Sequence, residues 1–264
     1  MADLEITKQG AITILTLNRP EARNALSMEM GAMLKDALHD IENDDSVRCV
    51  VLRGKGDHFM AGGDVKGMAE SISKSPEEIK KEFVLRIHDL HPIMFAMRRM
   101  RKPIIASVAG AAAGAGVSVA LCCDLIVSAE SSFYTLAYCR IGTSPDGSST
   151  YQLPRTLGIK RAMEMTLLGD RISAKQALDW GLVNFVVPDA DLEAETMKLA
   201  TRLANGPTFV YGQAKHLLYQ SIEKEMETQL QAEGEAFAQC AARNDFREGV
   251  SAFVEKREAK FTGQ

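Results

Sequence analysis

The stretch from Pro103 to Cys123 carries no charged residue, and it is preceded by four basic residues, Arg98, Arg99, Arg101 and Lys102. Its length matches that of a membrane-spanning helix. However, much of its middle is Gly and Ala, which gain little from transfer into hydrocarbon, and its start as far as Val108 has the pattern of a buried strand. We therefore expect this stretch to form the interior of a soluble protein with no membrane association.

Charge and cysteine content narrow the class of protein further. The chain has 264 residues, with 31 Lys and Arg against 35 Asp and Glu, which gives a net charge of −4. A sequence-independent nucleic-acid binder needs a basic excess, so we expect no nucleic-acid partner. The five cysteines are too few and of odd number for a disulfide framework, and the charged segment 1–10 is not a signal peptide. These features predict a cytoplasmic protein.

Strand and helix patterns alternate along the chain. Ser75, Pro76 and Glu78 form a capping box that begins a helix, which we expect to run to about Met100. A second capping box is predicted at Ser173 and Gln176. Strands are predicted at 11–17, 47–53, 104–108, 125–128 and 183–187, and another helix after Ser27.

A boundary falls at Gly206-Pro207, beyond which residues 209–256 have a helical pattern and few strand signals. The sequence therefore predicts an α/β core over residues 1–205 and a helical region over residues 206–264.

Two glycine-rich turns follow predicted strands, at Phe59–Asp64 and at Gly110–Gly116. Small residues let a ligand approach the backbone closely, and a helix that begins at such a turn presents free N–H groups. Two turns of this kind could place two N–H donors on one oxygen, as an oxyanion hole does. The alternative is that these glycines only permit tight packing.

Short motifs follow one another in order along almost the whole chain: Leu17–Pro20, Arg23–Leu26, Phe59–Asp64, Gly110–Gly116, Cys123-Asp124, Leu178–Gly181 and Glu248–Phe253. Through them the sequence resembles the crotonase, or enoyl-CoA hydratase/isomerase, superfamily. The resemblance implies a crotonase-like ββα superhelix with a C-terminal helical trimerisation region. It also implies acyl-CoA thioester substrates and a homotrimer or a dimer of trimers. Coenzyme A would be part of the substrate, and we expect no other cofactor and no metal.

The same resemblance implies roles for individual residues. The oxyanion-hole donors would be the backbone N–H groups of Gly63 and Ala115. A neighbouring subunit would add Phe253 and Lys256 to the coenzyme A site, although Lys256 could also be an ordinary solvated charge. The pocket for the adenine of coenzyme A would lie near these residues: Ala22, Arg23, Ala61, Asp64 and Val65.

Two departures from the superfamily pattern bear on the chemistry. Typical hydratases of this superfamily carry two glutamates, one after the second glycine-rich turn and one after the next strand. This chain has Ser118 at the first position and either Ala137 or Tyr138 at the second. None of these can act as a carboxylate base, so ordinary hydration of an enoyl-CoA is in doubt.

Asp146 is a candidate for the missing carboxylate, although it could be only a turn or N-cap residue. Its surroundings resemble those in the epoxide and enoyl-CoA isomerases of phenylacetate degradation, where this Asp shuttles a proton. They also resemble those in 4-chlorobenzoyl-CoA dehalogenases, where it is a nucleophile paired with a His and a Trp. Those two positions are His91 and Tyr138 here.

We therefore expect an acyl-CoA isomerase that moves a double bond or rearranges a ring epoxide. The alternatives are a hydrolase or dehalogenase, a hydratase, and a non-catalytic acyl-CoA-binding homologue.

Overall fold

A computed structural model describes residues 2–264 of the chain as an α/β protein with a helical C-terminal region. Nine strands form two sheets. The strands are β1 Leu4–Gln9, β2 Ile12–Leu17, β3 Cys49–Gly54, β4 Ile104–Val108, β5 Ala111–Ala113, β6 Leu125–Ala129, β7 Phe133–Thr135, β8 Ile172–Ser173 and β9 Phe185–Val187. The larger sheet has the order β1-β2-β3-β4-β6-β9 and is parallel except for β1, which pairs antiparallel with β2. The smaller sheet has the order β5-β7-β8.

Eleven α-helices complete the described part of the chain: α1 Met28–Asn43, α2 Val65–Ala69, α3 Pro76–Arg99, α4 Ala115–Cys122, α5 Ser149–Leu157, α6 Ile159–Leu168, α7 Ala174–Trp180, α8 Leu192–Ala204, α9 Thr208–Ser221, α10 Met226–Ala241 and α11 Asn244–Glu255. Short 3₁₀ turns occur at Pro20–Ala22, Ala137–Ile141 and Asp189–Asp191.

The capping box of the long helix is confirmed. The Ser75 hydroxyl accepts from the Glu78 N–H, and the Glu78 carboxylate accepts from the Ser75 N–H. At Ser173 only half of the predicted box is present, because its hydroxyl accepts from the Gln176 N–H but the return bond is absent from the described residues. The Ser27 cap of α1 is also confirmed.

The uncharged stretch after Pro103 forms β4, β5 and α4, and it lies almost wholly in the interior. Within residues 2–264, no helix combines the length and the apolar character that crossing a membrane requires. One face of the larger sheet packs with α1 and α3 into the main core. Its other face packs with α8 into a second core, around Ile14, Val51 and Ala200.

Several elements differ from the sequence prediction. Strand β1 was not predicted, because it is an edge strand in which only Leu4 is fully buried and alternation is weak. Strands β5, β7 and β8 are three residues long or shorter, too short for a periodic signal. They nevertheless shape the site, because they follow β4, β6 and α6 and hold the connecting turns in place.

Helices α9, α10 and α11 occupy the region predicted to be helical. The start of α9 is bonded to the core by Arg48, the residue just before β3. Arg48 donates to Thr208 Oγ1 at 3.0 Å and to the Gly206 carbonyl. The division of the chain into a core and a separate oligomerisation region remains a prediction.

Candidate active site

The two glycine-rich turns lie side by side. Met60 of the first turn pairs with Ala112 of the second in an isolated parallel bridge, in which the Met60 N–H donates to the Ala111 carbonyl at 3.0 Å. A side chain at Gly116 would place its Cβ only 2.3 Å from the Met60 carbonyl oxygen. The absence of a side chain at Gly116 therefore permits the close approach of the turns.

Each turn contains one predicted donor whose backbone N–H has no acceptor within residues 2–264, Gly63 in the first turn and Ala115 in the second. Ala115 is the first residue of α4, where a helix leaves its N–H groups unpaired. Gly63 lies opposite Leu26 in a parallel bridge whose hydrogen bonds use the Gly62 carbonyl and the Asp64 N–H, which leaves the Gly63 N–H free. Both predicted donors can thus bond a ligand oxygen.

Asp146 contacts this region through Tyr138. The Tyr138 hydroxyl donates to Asp146 Oδ1 at 2.5 Å. The ring of Tyr138 lies 3.7 Å from where a Cβ on Gly114 would be, so it packs on the turn that precedes the Ala115 donor. Burial and the Asp146 carboxylate raise the pKa of Tyr138 well above its usual value. Tyr138 therefore stays protonated at neutral pH and acts as a donor to the carboxylate.

Ser118, which lies on α4, supports the turn that contains Asp146. Its hydroxyl is fully buried and donates to the Asp146 carbonyl at 3.0 Å. The Ser149 hydroxyl donates to the same carbonyl at 3.0 Å, a contact that the sequence analysis missed. Its only sequence signal is a serine three residues after an aspartate in a turn.

The structure also separates the two candidates for the second glutamate position. Tyr138 lies against Gly114, whereas the Cα of Ala137 lies 3.7 Å from where a Cβ on Gly169 would be. Tyr138 is therefore the residue that faces the site.

A comparison with known proteins identifies the family of this chain. The family model for enoyl-CoA hydratase/isomerase matches residues 7–264. The chain belongs to the enoyl-CoA hydratase/isomerase family. The crotonase resemblance seen in the sequence is thus confirmed.

Individual relatives carry names of several activities. The chain is 38% identical to the 1,2-epoxyphenylacetyl-CoA isomerase of Escherichia coli (strain K12), over 99% of this chain and 98% of that protein. It is 30% identical to 4-chlorobenzoyl coenzyme A dehalogenase-2 of Arthrobacter sp, over 96% and 91%. The crystal structure of an enoyl-CoA hydratase from Polaromonas sp. JS666 superposes with a TM-score of 0.92 at 35% identity, covering 98% and 99%. The family and the fold are shared, while the named reactions differ.

In this crotonase-family chain His91 lies on α3, with its ring 5.3 Å from that of His88 and 6.2 Å from that of Phe95. No hydrogen bond in the described structure joins it to Asp146. Met94 of α3 approaches the Asp146 turn, with its Cε 3.5 Å from where a Cβ on Gly147 would lie. A role for His91 as a base remains a prediction.

The residues predicted to bind coenzyme A fall into two groups. Ala22 and Arg23 adjoin the first glycine-rich turn, because the Ala61 N–H donates to the Arg23 carbonyl at 2.9 Å. The exposed Val65 begins α2 just beyond that turn. The second group, Phe253 and Lys256, lies at the end of α11, where Phe253 is 86% exposed.

Asp64 already has partners within the chain. Its carboxylate caps α2 by accepting from the Gly67 N–H at 3.2 Å, and it pairs with Arg19 at 3.0 Å. The bond from Gly67, together with Arg19, lowers the pKa of Asp64. These contacts position α2 beside the first glycine-rich turn.

Proposed function

We propose that this chain is an acyl-CoA isomerase. Asp146 would remove an α-proton from the thioester, and the electron pair of the broken C–H bond would move onto the thioester oxygen. The N–H groups of Gly63 and Ala115 would hold that enolate oxygen. The protonated Asp146 would then return the proton to a different carbon, which moves the double bond and restores the carboxylate. Coenzyme A would belong to the substrate, and the proposed proton transfer requires no other cofactor.

The observation that carries this proposal is the hydrogen bond between Tyr138 and Asp146. Through this bond the carboxylate is joined to the Tyr138 ring, which packs on Gly114, the residue before Ala115. At the two positions where the resemblance puts glutamates in hydratases, the chain has Ser118 and Tyr138. One carboxylate suffices for a proton shuttle, whereas hydration requires both activation of water and delivery of a proton.

A second candidate is a hydrolase or dehalogenase in which Asp146 is the nucleophile. The observation in its favour is that Asp146 Oδ2 has no hydrogen-bond partner among residues 2–264 and is therefore available to attack a substrate carbon. In a dehalogenase, attack on the aryl carbon would break the carbon–halogen bond, release halide and form an aryl ester on Asp146; in a hydrolase, attack on the thioester carbonyl would release the coenzyme A thiolate and form an anhydride. A third candidate, a non-catalytic acyl-CoA-binding homologue, predicts binding without turnover.

Four substrates assayed with one preparation test these candidates: a 3-enoyl-CoA, a 2-enoyl-CoA, a ring-epoxide CoA and a halobenzoyl-CoA. The proposal predicts turnover of the 3-enoyl-CoA or the epoxide, loss of activity in Asp146→Asn, and incorporation of solvent deuterium into the CoA ester. A covalent adduct on Asp146, detected by mass spectrometry under single-turnover conditions, would support the nucleophile instead. Binding without turnover of any of the four would support the non-catalytic homologue.

A further inference from the structure

Both the backbone carbonyl and the side-chain carboxylate of Asp146 accept hydrogen bonds from side chains of other elements. Its carbonyl accepts from the hydroxyls of Ser118 and Ser149, each at 3.0 Å. Its carboxylate accepts from the Tyr138 hydroxyl through Oδ1 alone. A free carboxylate rotates about its Cβ–Cγ bond, and its two oxygens exchange places. The bond from Tyr138 distinguishes Oδ1 from Oδ2.

Tyr138 is itself fixed by its surroundings. Its ring atoms lie 3.7 and 3.8 Å from where a Cβ on Gly114 would be, and Gly114 has a φ of +49°. A side chain at Gly114 would therefore be strained by its backbone conformation, and its Cβ would be in van der Waals contact with the ring. The raised pKa of Tyr138 keeps its proton on the phenol oxygen, where it is donated to Oδ1. Tyr138 thus joins the donor turn to the carboxylate through a single rigid ring.

We propose that Tyr138 is a positioning residue, which occupies Oδ1 of Asp146 and leaves Oδ2 as the oxygen that exchanges protons with the substrate. When the substrate C–H bond breaks, the new O–H bond forms on Oδ2, and the Tyr138 proton stays where it is. Because the ring rests on Gly114, Tyr138 also sets the separation between the proton acceptor and the Ala115 donor. This inference rests on the proposed function, since it requires Asp146 to act as a base.

Ser118 makes this arrangement sterically possible. A Cβ at Gly147 would lie 3.0 Å from the Ser118 Cβ and 3.2 Å from its Oγ, so the Asp146 turn already packs tightly against α4 at this point. A glutamate at position 118 would have to extend into the space that this turn occupies. Ser118 and Tyr138 occupy the two positions implied to be glutamates in hydratases. Here these two residues instead hold the single carboxylate of Asp146 in place.

The test compares Tyr138→Phe with Tyr134→Phe. Both variants delete one phenol hydroxyl that donates to an oxygen, since the buried Tyr134 hydroxyl donates to Ser128 Oγ at 2.9 Å outside the site. The measurements are exchange of solvent deuterium into a CoA ester, isomerisation kinetics and thermal midpoint. We expect Tyr138→Phe to lower kcat and the exchange rate by about 10- to 100-fold while KM changes less than about 3-fold. We expect Tyr134→Phe to keep the wild-type kcat.

The outcomes distinguish a failure of the proposed function from a failure of the role of Tyr138. A wild type that neither isomerises the CoA ester nor exchanges solvent deuterium into it overturns the proposed function and this inference together. An active wild type, with a Tyr138→Phe variant equal to it in both rates, overturns only the role of Tyr138. Should Tyr138→Phe be poorly folded, Tyr138→Trp provides the second measurement, because an indole N–H donates a hydrogen bond but does not transfer its proton. A folded Tyr138→Trp variant that retains the wild-type exchange rate supports positioning, and a folded one that has lost it overturns it.

Discussion

Lys215 and Asp124 form an ion pair between the C-terminal helices and the core, with 2.9 Å between Nζ and Oδ2. Their side chains are only 9% and 18% exposed. The same carboxylate oxygen accepts from the Ile104 N–H at 2.8 Å, and Lys215 also donates to the Met97 carbonyl at 2.8 Å. These three contacts together connect α9 to the end of α3 and the start of β4.

This pair predicts a strongly non-additive double-mutant cycle. Lys215→Met leaves a largely buried carboxylate unpaired and should lower the free energy of unfolding by about 3 kcal/mol. Adding Asp124→Asn removes the unpaired charge and keeps an acceptor for the Ile104 N–H, so the double variant should recover most of that loss. Chemical denaturation of the four proteins at neutral pH measures the cycle. Additive losses would show that the two charges do not interact energetically.

The contacts of the Asp64 carboxylate with the Gly67 N–H and with Arg19 predict a pH dependence of stability. The folded-state pKa of Asp64 lies below its usual value of 3.8, so its contribution to stability is complete above that value and is lost as the pH falls. Asp64→Asn keeps an acceptor for the Gly67 N–H but removes the charge. At pH 7 we expect the variant to be less stable by about 1 kcal/mol, and the difference should shrink toward zero below pH 3.8. A difference that is constant with pH would contradict this assignment.

Two glycines of the same loop region form a matched pair for testing the Asp146 turn. Gly147 and Gly142 have similar left-handed φ values, +60° and +72°, so alanine adds similar backbone strain of about 1 kcal/mol at either position. Only at Gly147 would the new Cβ be crowded, at 3.0 Å from the Ser118 Cβ, so that Ser118 or the turn would have to move slightly, whereas nothing lies within 4 Å at Gly142. Gly147→Ala should therefore lower kcat by about 10-fold or more, and Gly142→Ala should not. Equal kcat values would show that the position of this turn does not matter for turnover.

How far the sequence could predict these features depends on how local each one is. The Ser75 capping box and the Ser27 cap involve residues three apart, and the buried strands are continuous apolar runs, so pattern alone finds them. The Ser118 contact to Asp146 joins residues 28 apart, and no local pattern encodes it. The choice between Ala137 and Tyr138 depends on which residue of a 3₁₀ turn faces Gly114, which a difference of one residue reverses.

The replaced glutamate positions predict poor hydration. Adding water to a 2-enoyl-CoA requires one group to deprotonate water and one to protonate the α-carbon, and each contributes about 10²- to 10⁴-fold. Ser118 already donates to the Asp146 carbonyl, and Tyr138 keeps its proton, so neither can serve as the base. We expect crotonyl-CoA hydration to be slow beside double-bond migration of a 3-enoyl-CoA, in assays of one preparation at neutral pH. Hydration that exceeds isomerisation would mean that other carboxylates act.

The outer surface of α9, α10 and α11 predicts self-association. Large apolar side chains are exposed along all three helices: Leu218, Ile222, Met226, Leu230, Phe237, Phe246, Val250, Phe253 and Val254. An apolar surface of this extent marks an interface, and one chain type closes most simply into a symmetric ring. We therefore expect a homotrimer or a dimer of trimers, to which the region from residue 206 onward contributes the contact.

A pair of charge substitutions tests this assembly. Phe237 is 70% exposed and packs edge-on against Phe246, with 6.5 Å between ring centroids, so Phe237→Glu places a charge in the middle of the apolar surface. Ile6 is 51% exposed on the edge strand β1, so Ile6→Glu adds the same charge elsewhere. Sedimentation velocity should shift toward monomer for Phe237→Glu only. If Phe253 and Lys256 of a neighbouring subunit bind coenzyme A, the same variant should also raise KM for the CoA ester. A wild type that is monodisperse, monomeric and active would refute both the assembly and the shared site.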